Sequence, residues 1–91
     1  MAKFSPRLVR GTPLSRRRWR VLIYNNHFHR FDDVVAWLQE ATEQEHQQIL
    51  EICRVCEEDG RAICFLGSKA ACHEVAASIR RRGLQVEVDD Y

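Results

Sequence analysis

The sequence predicts an α/β sandwich (α+β): one small domain of order β-α-α-β-α-β, with three helices on one face of a three-stranded antiparallel sheet. Three observations predict it. A near-continuous apolar run spans residues 19–24, three later stretches carry apolar residues at helical spacing, and a closing segment alternates apolar with polar residues.

Trp19-Arg20-Val21-Leu22-Ile23-Tyr24 is β-branched and aromatic, and its apolarity suits a central strand. The polar loop Asn25-Asn26-His27-Phe28-His29-Arg30 follows, its asparagines tolerant of turn conformations. Phe31, Val34, Val35 and Leu38 then repeat at helical spacing, with Asp32 and Asp33 in the first turn, where the dipole favours negative charge. This first helix is expected to reach about Ala41. Thr42-Glu43-Gln44-Glu45 reads as a capping box opening a second helix, whose buried stripe is Ile49, Ile52, Cys53 and Cys56 and whose left-handed stop is Gly60. Its last turn holds Glu57, Glu58 and Asp59, acids placed at the negative end of a helix dipole, which points to another use for the charge. Residues 61–66 form a second apolar strand. Ser68 caps a third helix bearing Ala71, Cys72, Val75 and Ile79, and Gly83 ends it. Leu84, Val86 and Val88 alternate with Gln85, Glu87 and Asp89, the pattern of a half-buried strand.

Hydrophobic residues at 45% and charged residues at 30% match an ordinary folded domain. No apolar run approaches the roughly 20 residues that span a bilayer, and no signal-type apolar segment follows the first basic residues, so a cytoplasmic protein without membrane contact is expected. Charge is uneven. Residues 1–18 hold Lys3, Arg7, Arg10, Arg16, Arg17 and Arg18 and no acid, a charge of +6, while residues 19–91 carry a net −5. Pro6, Gly11 and Pro13 interrupt any periodic pattern there, so a flexible basic arm over 1–18 is expected before a core domain over 19–91.

Glycine-rich phosphate loops, H-E-x-x-H and G-x-S-x-G are absent, which argues against an enzyme and against a cofactor. Cys53, Cys56, Cys64 and Cys72 are expected as reduced thiols. Cys53 and Cys56 form a C-x-x-C, but the second pair of a zinc knuckle is missing, so small buried apolar residues are the better reading and no metal is expected. His46 is expected to be solvated and His73 to be a plain helix position.

The run from Trp19 to Asn26 resembles the strand and Asn-Asp entry that opens the core of the ClpS family. Phe28, Phe31, Asp32, Val34, Val35 and Leu38 continue the likeness, as do the apolar positions of the second helix and Gly60-Arg61-Ala62-Ile63-Cys64, so that it extends from Trp19 to about Val88. The resemblance implies an adaptor for an ATP-dependent Clp protease: a monomer that binds the N-terminal residue of a substrate protein, its N-degron, and delivers it to a Clp-type AAA+ unfoldase. Carried over by position, Phe31, Val34, Cys53 and Cys56 would line an apolar pocket, and Asn25, Asn26, His27, His29 and Glu57 would surround the substrate ammonium and backbone. Periodicity alone also permits the four apolar residues to be plain core.

The chain departs from the family where charge matters. The family's Asn-Asp-Asp is Asn25-Asn26-His27, its nearby Thr is His29, and its second-helix His is Glu57. Glu57 is therefore expected to supply the carboxylate that the loop has lost, with His27 and His29 as titratable neighbours below about pH 6.5. Two alternatives stand beside this reading. One is a ClpS-like scaffold serving another protein partner. The other is a nucleic-acid or ribosome-binding module using Arg16-Arg17-Arg18 and Arg80-Arg81-Arg82, which the acidic core and the missing aromatic platform disfavour.

Overall fold

A computed structural model describes residues 19–90; the expected basic arm and Tyr91 lie outside them. The elements run β1 (Trp19–Tyr24), α1 (Phe31–Thr42), α2 (His46–Asp59), β2 (Arg61–Gly67), α3 (Lys69–Arg81) and β3 (Val86–Asp90). Both outer strands pair antiparallel with β1 in the order β2-β1-β3, so the apolar first strand is central, as its composition predicts.

Alternation along β1 divides the sheet. Val21 and Ile23 point into the main core with Ala62, Cys64 and Val86, where they meet Val35 and Leu38 of α1, Ile49, Ile52, Val55, Cys53 and Cys56 of α2, and Cys72, Val75, Ala76 and Ile79 of α3. All three helices thus bury their apolar stripes on one face. Leu22 points the other way and clusters with Ile63, Leu66 and Tyr24. On that face Arg20 pairs with Asp89 at 2.6 Å, and the Tyr24 hydroxyl donates to Glu87 at 2.6 Å. The Glu87 bond is the largest cause holding the Tyr24 phenol above its ordinary range, with burial adding to it.

The β1–β2 ladder shifts register between Val21 and Leu22, which pair with Phe65 and Ile63, so Cys64 has no opposite partner. Its carbonyl accepts instead from the Gln44 side chain at 2.7 Å. On the other edge of the sheet the Arg80 guanidinium donates to the Val86 carbonyl at 3.1 Å.

The helix ends differ from expectation at one place. Thr42 closes α1 rather than opening α2: its hydroxyl donates to the Leu38 carbonyl at 2.8 Å, and Glu43 follows in the left-handed region with its N–H on Gln39. The expected capping box at Thr42–Glu45 is therefore not formed. Thr42 is the last residue of α1 and stands three positions before the α2 N-cap, which is the extended Glu45, so its hydroxyl is not placed to receive the first N–H groups of α2. The other ends follow the sequence. Gly60 stops α2 at φ 87°, and Ser68 caps α3 by accepting from Ala71 N–H at 3.1 Å.

All four cysteines are buried free thiols that fill the core as small apolar side chains. Burial pushes Cys53 up to about 11 and Cys56 up to about 12, with the negative charge of Glu57 adding to both, and it raises Cys64 and Cys72 as well. Because the native state holds the thiols neutral beyond the ordinary value of 9.0, the unfolded chain ionises first as pH rises. Thermal stability is therefore expected to be insensitive to these groups below about pH 8.5 and to fall between about pH 9 and 12. Melting curves of the wild type and of a Cys53→Ala/Cys56→Ala variant across that range check this, the variant being expected to lose less of its Tm.

Candidate functional site

Where β1 ends, the chain meets the end of α2. The Asn25 N–H donates to the Gly60 carbonyl at 2.8 Å and the Tyr24 N–H to the Gln85 carbonyl at 3.2 Å, which ties the strand exit both to the α2 stop and to the approach to β3. The loop that leaves this junction arches over a cavity of about 140 Å³. Ile23 and Leu84 lie on its inner side, Phe31 and Val34 of α1 form one wall, and Cys53 and Cys56 of α2 form the other. Tyr24, Asn25, Asn26, His29 and Glu57 complete the lining. The Cys56 thiol is turned inward, donating to the Ile23 carbonyl at 3.7 Å. Phe31 is half exposed and forms part of the cavity wall.

The loop holds its shape through one side chain. The Asn26 Oδ1 accepts from the backbone N–H groups of Phe28 at 2.7 Å and His29 at 3.1 Å, and lies 3.2 Å from His29 Nδ1. Two backbone donors identify that atom as the oxygen, so a neutral His29 carries its proton on Nδ1. The imidazole is further fixed by Trp37, edge-on at 5.3 Å between ring centres. Gly83 backs it from the α3–β3 connection, where φ is 90° and a Cβ would stand 3.3 Å from His29 Nε2. Arg82 lies over Trp37 at 5.5 Å and pairs with Glu40 at 2.8 Å, bracing the same wall.

Charge at the site is one-sided. Glu57 is the single acidic residue of the lining. The neighbouring acids are handled differently: Arg54 pairs with Glu51 and, at 2.7 Å, with Glu58. Among the described residues Glu57 has no ion pair, and it stands close enough to both cavity thiols to raise them. The arrangement combines an apolar hollow with one carboxylate and carboxamide groups at its edge, which suits a ligand with an apolar body and a cationic end.

Of the nine residues that the sequence singles out, eight surround this cavity: Asn25, Asn26, His29, Phe31, Val34, Cys53, Cys56 and Glu57. His27 is outside it. The loop turn closed by Asn26 leaves His27 exposed, with Phe28 almost fully exposed beside it. Asn26 differs in kind from its expected place at a ligand rim, since its oxygen is committed to three loop contacts and its amide N–H groups can only donate. Sequence reasoning missed Ile23, Tyr24 and Leu84. The first two adjoin Asn25 and follow from the strand end, whereas Leu84 arrives through the β3 approach with no local signal.

A protein-family model described as "ATP-dependent Clp protease adaptor protein ClpS" matches residues 15–87. No curated protein matches the chain significantly. Among solved structures, Agrobacterium tumefaciens ClpS2 bound to L-phenylalaninamide superposes with a TM-score of 0.76 at 11% identity, over 82% of this chain and 98% of that one. That likeness carries the fold, and the family match covers most of the sequence. The chain belongs to the ClpS family of ATP-dependent Clp protease adaptors.

Proposed function

We propose that this protein binds the N-terminal residue of substrate proteins in the cavity at the end of β1 and delivers them, as a monomer, to a Clp-type AAA+ unfoldase. The observation that carries the reading is a carboxylate without an ion pair among the described residues, Glu57, at the edge of an otherwise apolar hollow of about 140 Å³. A free N-terminus supplies what such a site lacks: an ammonium with three donors attached to an apolar side chain. Glu57 accepts from the ammonium, and the Asn25 carboxamide holds the first peptide unit. Val34, Cys53, Cys56 and Phe31 enclose the side chain, and Asn26 and His29 keep the loop in place around it.

The dimensions favour a particular guest. A cavity of about 150 Å³ is known to accept benzene, so a hollow of this size suits phenyl or isobutyl groups and is small for an indole. That ClpS2 is bound to L-phenylalaninamide, a free amine bearing a benzyl group, supports the same assignment by family likeness. The two protonated thiols on the α2 wall suit an apolar guest, since neither carries charge at neutral pH.

Fluorescence anisotropy with peptides that differ only in their first residue tests the reading. Phe and Leu are expected to bind more tightly than Trp and Arg, and N-acetylation is expected to abolish binding. A scaffold serving another partner would bind none of them. Glu57→Gln removes one charge-assisted hydrogen bond, worth about 1.5 to 3 kcal/mol, and is expected to weaken the Phe peptide at least about tenfold. Glu74→Gln, on the exposed side of α3, is the control and should leave affinity unchanged. Asn26→Ala is expected to weaken binding through loss of loop order, seen as added exchange broadening of the Phe28 and His29 amide resonances before any peptide is added.

A further inference from the structure

A second hollow, of about 300 Å³, lies between α1 and α2. Phe31, Val35, Ala36 and Leu50 make it apolar, Asp32 is its one carboxylate, and Gln39 and His46 stand toward the start of α2. It is open to solvent at Phe31, Asp32, Ala36 and His46, all of them exposed. Among the described residues Asp32 has no ion pair. The groove is continuous with the cavity at the end of β1. Phe31 lines both. On α2, His46 and Leu50 line the groove while Cys53 and Glu57 line the cavity, and their spacing of four, three and four residues puts all of them on one side of the helix.

We propose that this groove takes the third residue of the substrate and selects a basic side chain there. The proposal rests on the reading of the cavity as the seat of the first residue, which gives the bound chain its direction. The ammonium is at Glu57, in the last turn of α2, and the rest of the chain leaves the first Cα on the opposite side, toward the start of α2, where the groove lies. In an extended peptide the first and third side chains point the same way, about 7 Å apart. The middle of the Cys53 and Cys56 wall is also about 7 Å from Leu50 along the helix axis, at about 1.5 Å per residue. With the first side chain in the cavity, the third therefore comes to Leu50 and Ala36. Lysine and arginine suit the place, since an aliphatic stem can lie on Phe31, Ala36 and Leu50 while its charge stays in water beside Asp32. An acidic side chain would meet the repulsion of Asp32 and Glu57 together.

The test is an NMR titration of the full-length labelled protein with L-phenylalaninamide and with the free-amine, C-terminally amidated peptides Phe-Ala-Lys, Phe-Lys-Ala, Phe-Ala-Ala and Phe-Ala-Glu. L-Phenylalaninamide is expected to shift resonances of the cavity lining only. Phe-Ala-Lys is expected to shift Ala36 and Leu50 as well, and to bind about two- to fivefold more tightly than Phe-Ala-Ala, the range of an exposed ion pair. Phe-Ala-Glu is expected to bind more weakly than Phe-Ala-Ala. Phe-Lys-Ala, whose lysine points away from the groove, should gain nothing, and Asp32→Asn should erase the preference for Lys over Ala. Equal affinity for the Lys, Ala and Glu peptides, with the cavity shifts intact, would overturn this inference and leave the cavity reading standing. Absence of cavity shifts with every ligand would overturn both. A preference that survives Asp32→Asn would also overturn it, as would Ala36 and Leu50 shifts that follow protein concentration without peptide, the mark of a second copy in the groove.

Discussion

The hydrogen bond from the Asn25 amide to the Gly60 carbonyl ties together the two places where the fold turns. Gly60 adopts the left-handed conformation that ends α2 and sends the chain straight into β2, whose first residue, Arg61, pairs with Tyr24 at the end of β1. The same junction fixes where the 25–30 loop begins and sets the last turn of α2 beside it. Glu57 lies three residues before Gly60 and Asn25 is the residue that makes the bond, so the polar edge of the cavity is a by-product of closing the sheet. Its apolar walls follow from the same event, because Ile23 and Cys56 are brought into contact when β1 and α2 are drawn together.

Most of the fold was legible because it rests on periodicity, and burial obeys periodicity. Central placement of β1 followed from apolar residues on both of its faces, and Val21 and Leu22 do indeed enter separate clusters on opposite sides. The α2 stripe was equally plain. The start of that helix was not, because Thr42 can serve either the helix before it or the one after it, and a sequence does not say which carbonyl is within reach. The site divides in the same way. Residues on α1 and α2 could be placed from helical register, whereas Leu84 reaches the cavity through the connection beyond Gly83, sixty residues in sequence from Tyr24, which shares the lining. Asn26 was legible as a residue of the cavity lining but not in its loop contacts, since an asparagine in a loop can face its own backbone or a ligand, and only geometry distinguishes them. His27 was assigned by its neighbours and is exposed outside the cavity lining.

The acids at the end of α2 show a local rule broken unevenly. A helix C-terminus disfavours negative charge, and Arg54 relieves this by pairing with Glu51 and Glu58 one turn away on either side. Glu57 lines the cavity, while that arginine is engaged by Glu51 and Glu58. The charge of Glu57 instead bears on two thiols that are held neutral. Departures of this kind, where local propensity is set aside and nothing nearby compensates, concentrate where a protein meets a ligand.

The two carbonyls held by side chains on the outer strands bear on how the domain can meet an extended chain. Cys64 on β2 is held by Gln44, and Val86 on β3 by Arg80. A peptide joining either edge as a fourth strand would have to break one of these bonds before making its own, in the way that natural sheets discourage unwanted strand addition. Sheet extension is the usual means by which a small domain grips a peptide without regard to its sequence. With one carbonyl on each outer strand already engaged by a side chain, either edge of the described sheet has one acceptor fewer to offer an added strand.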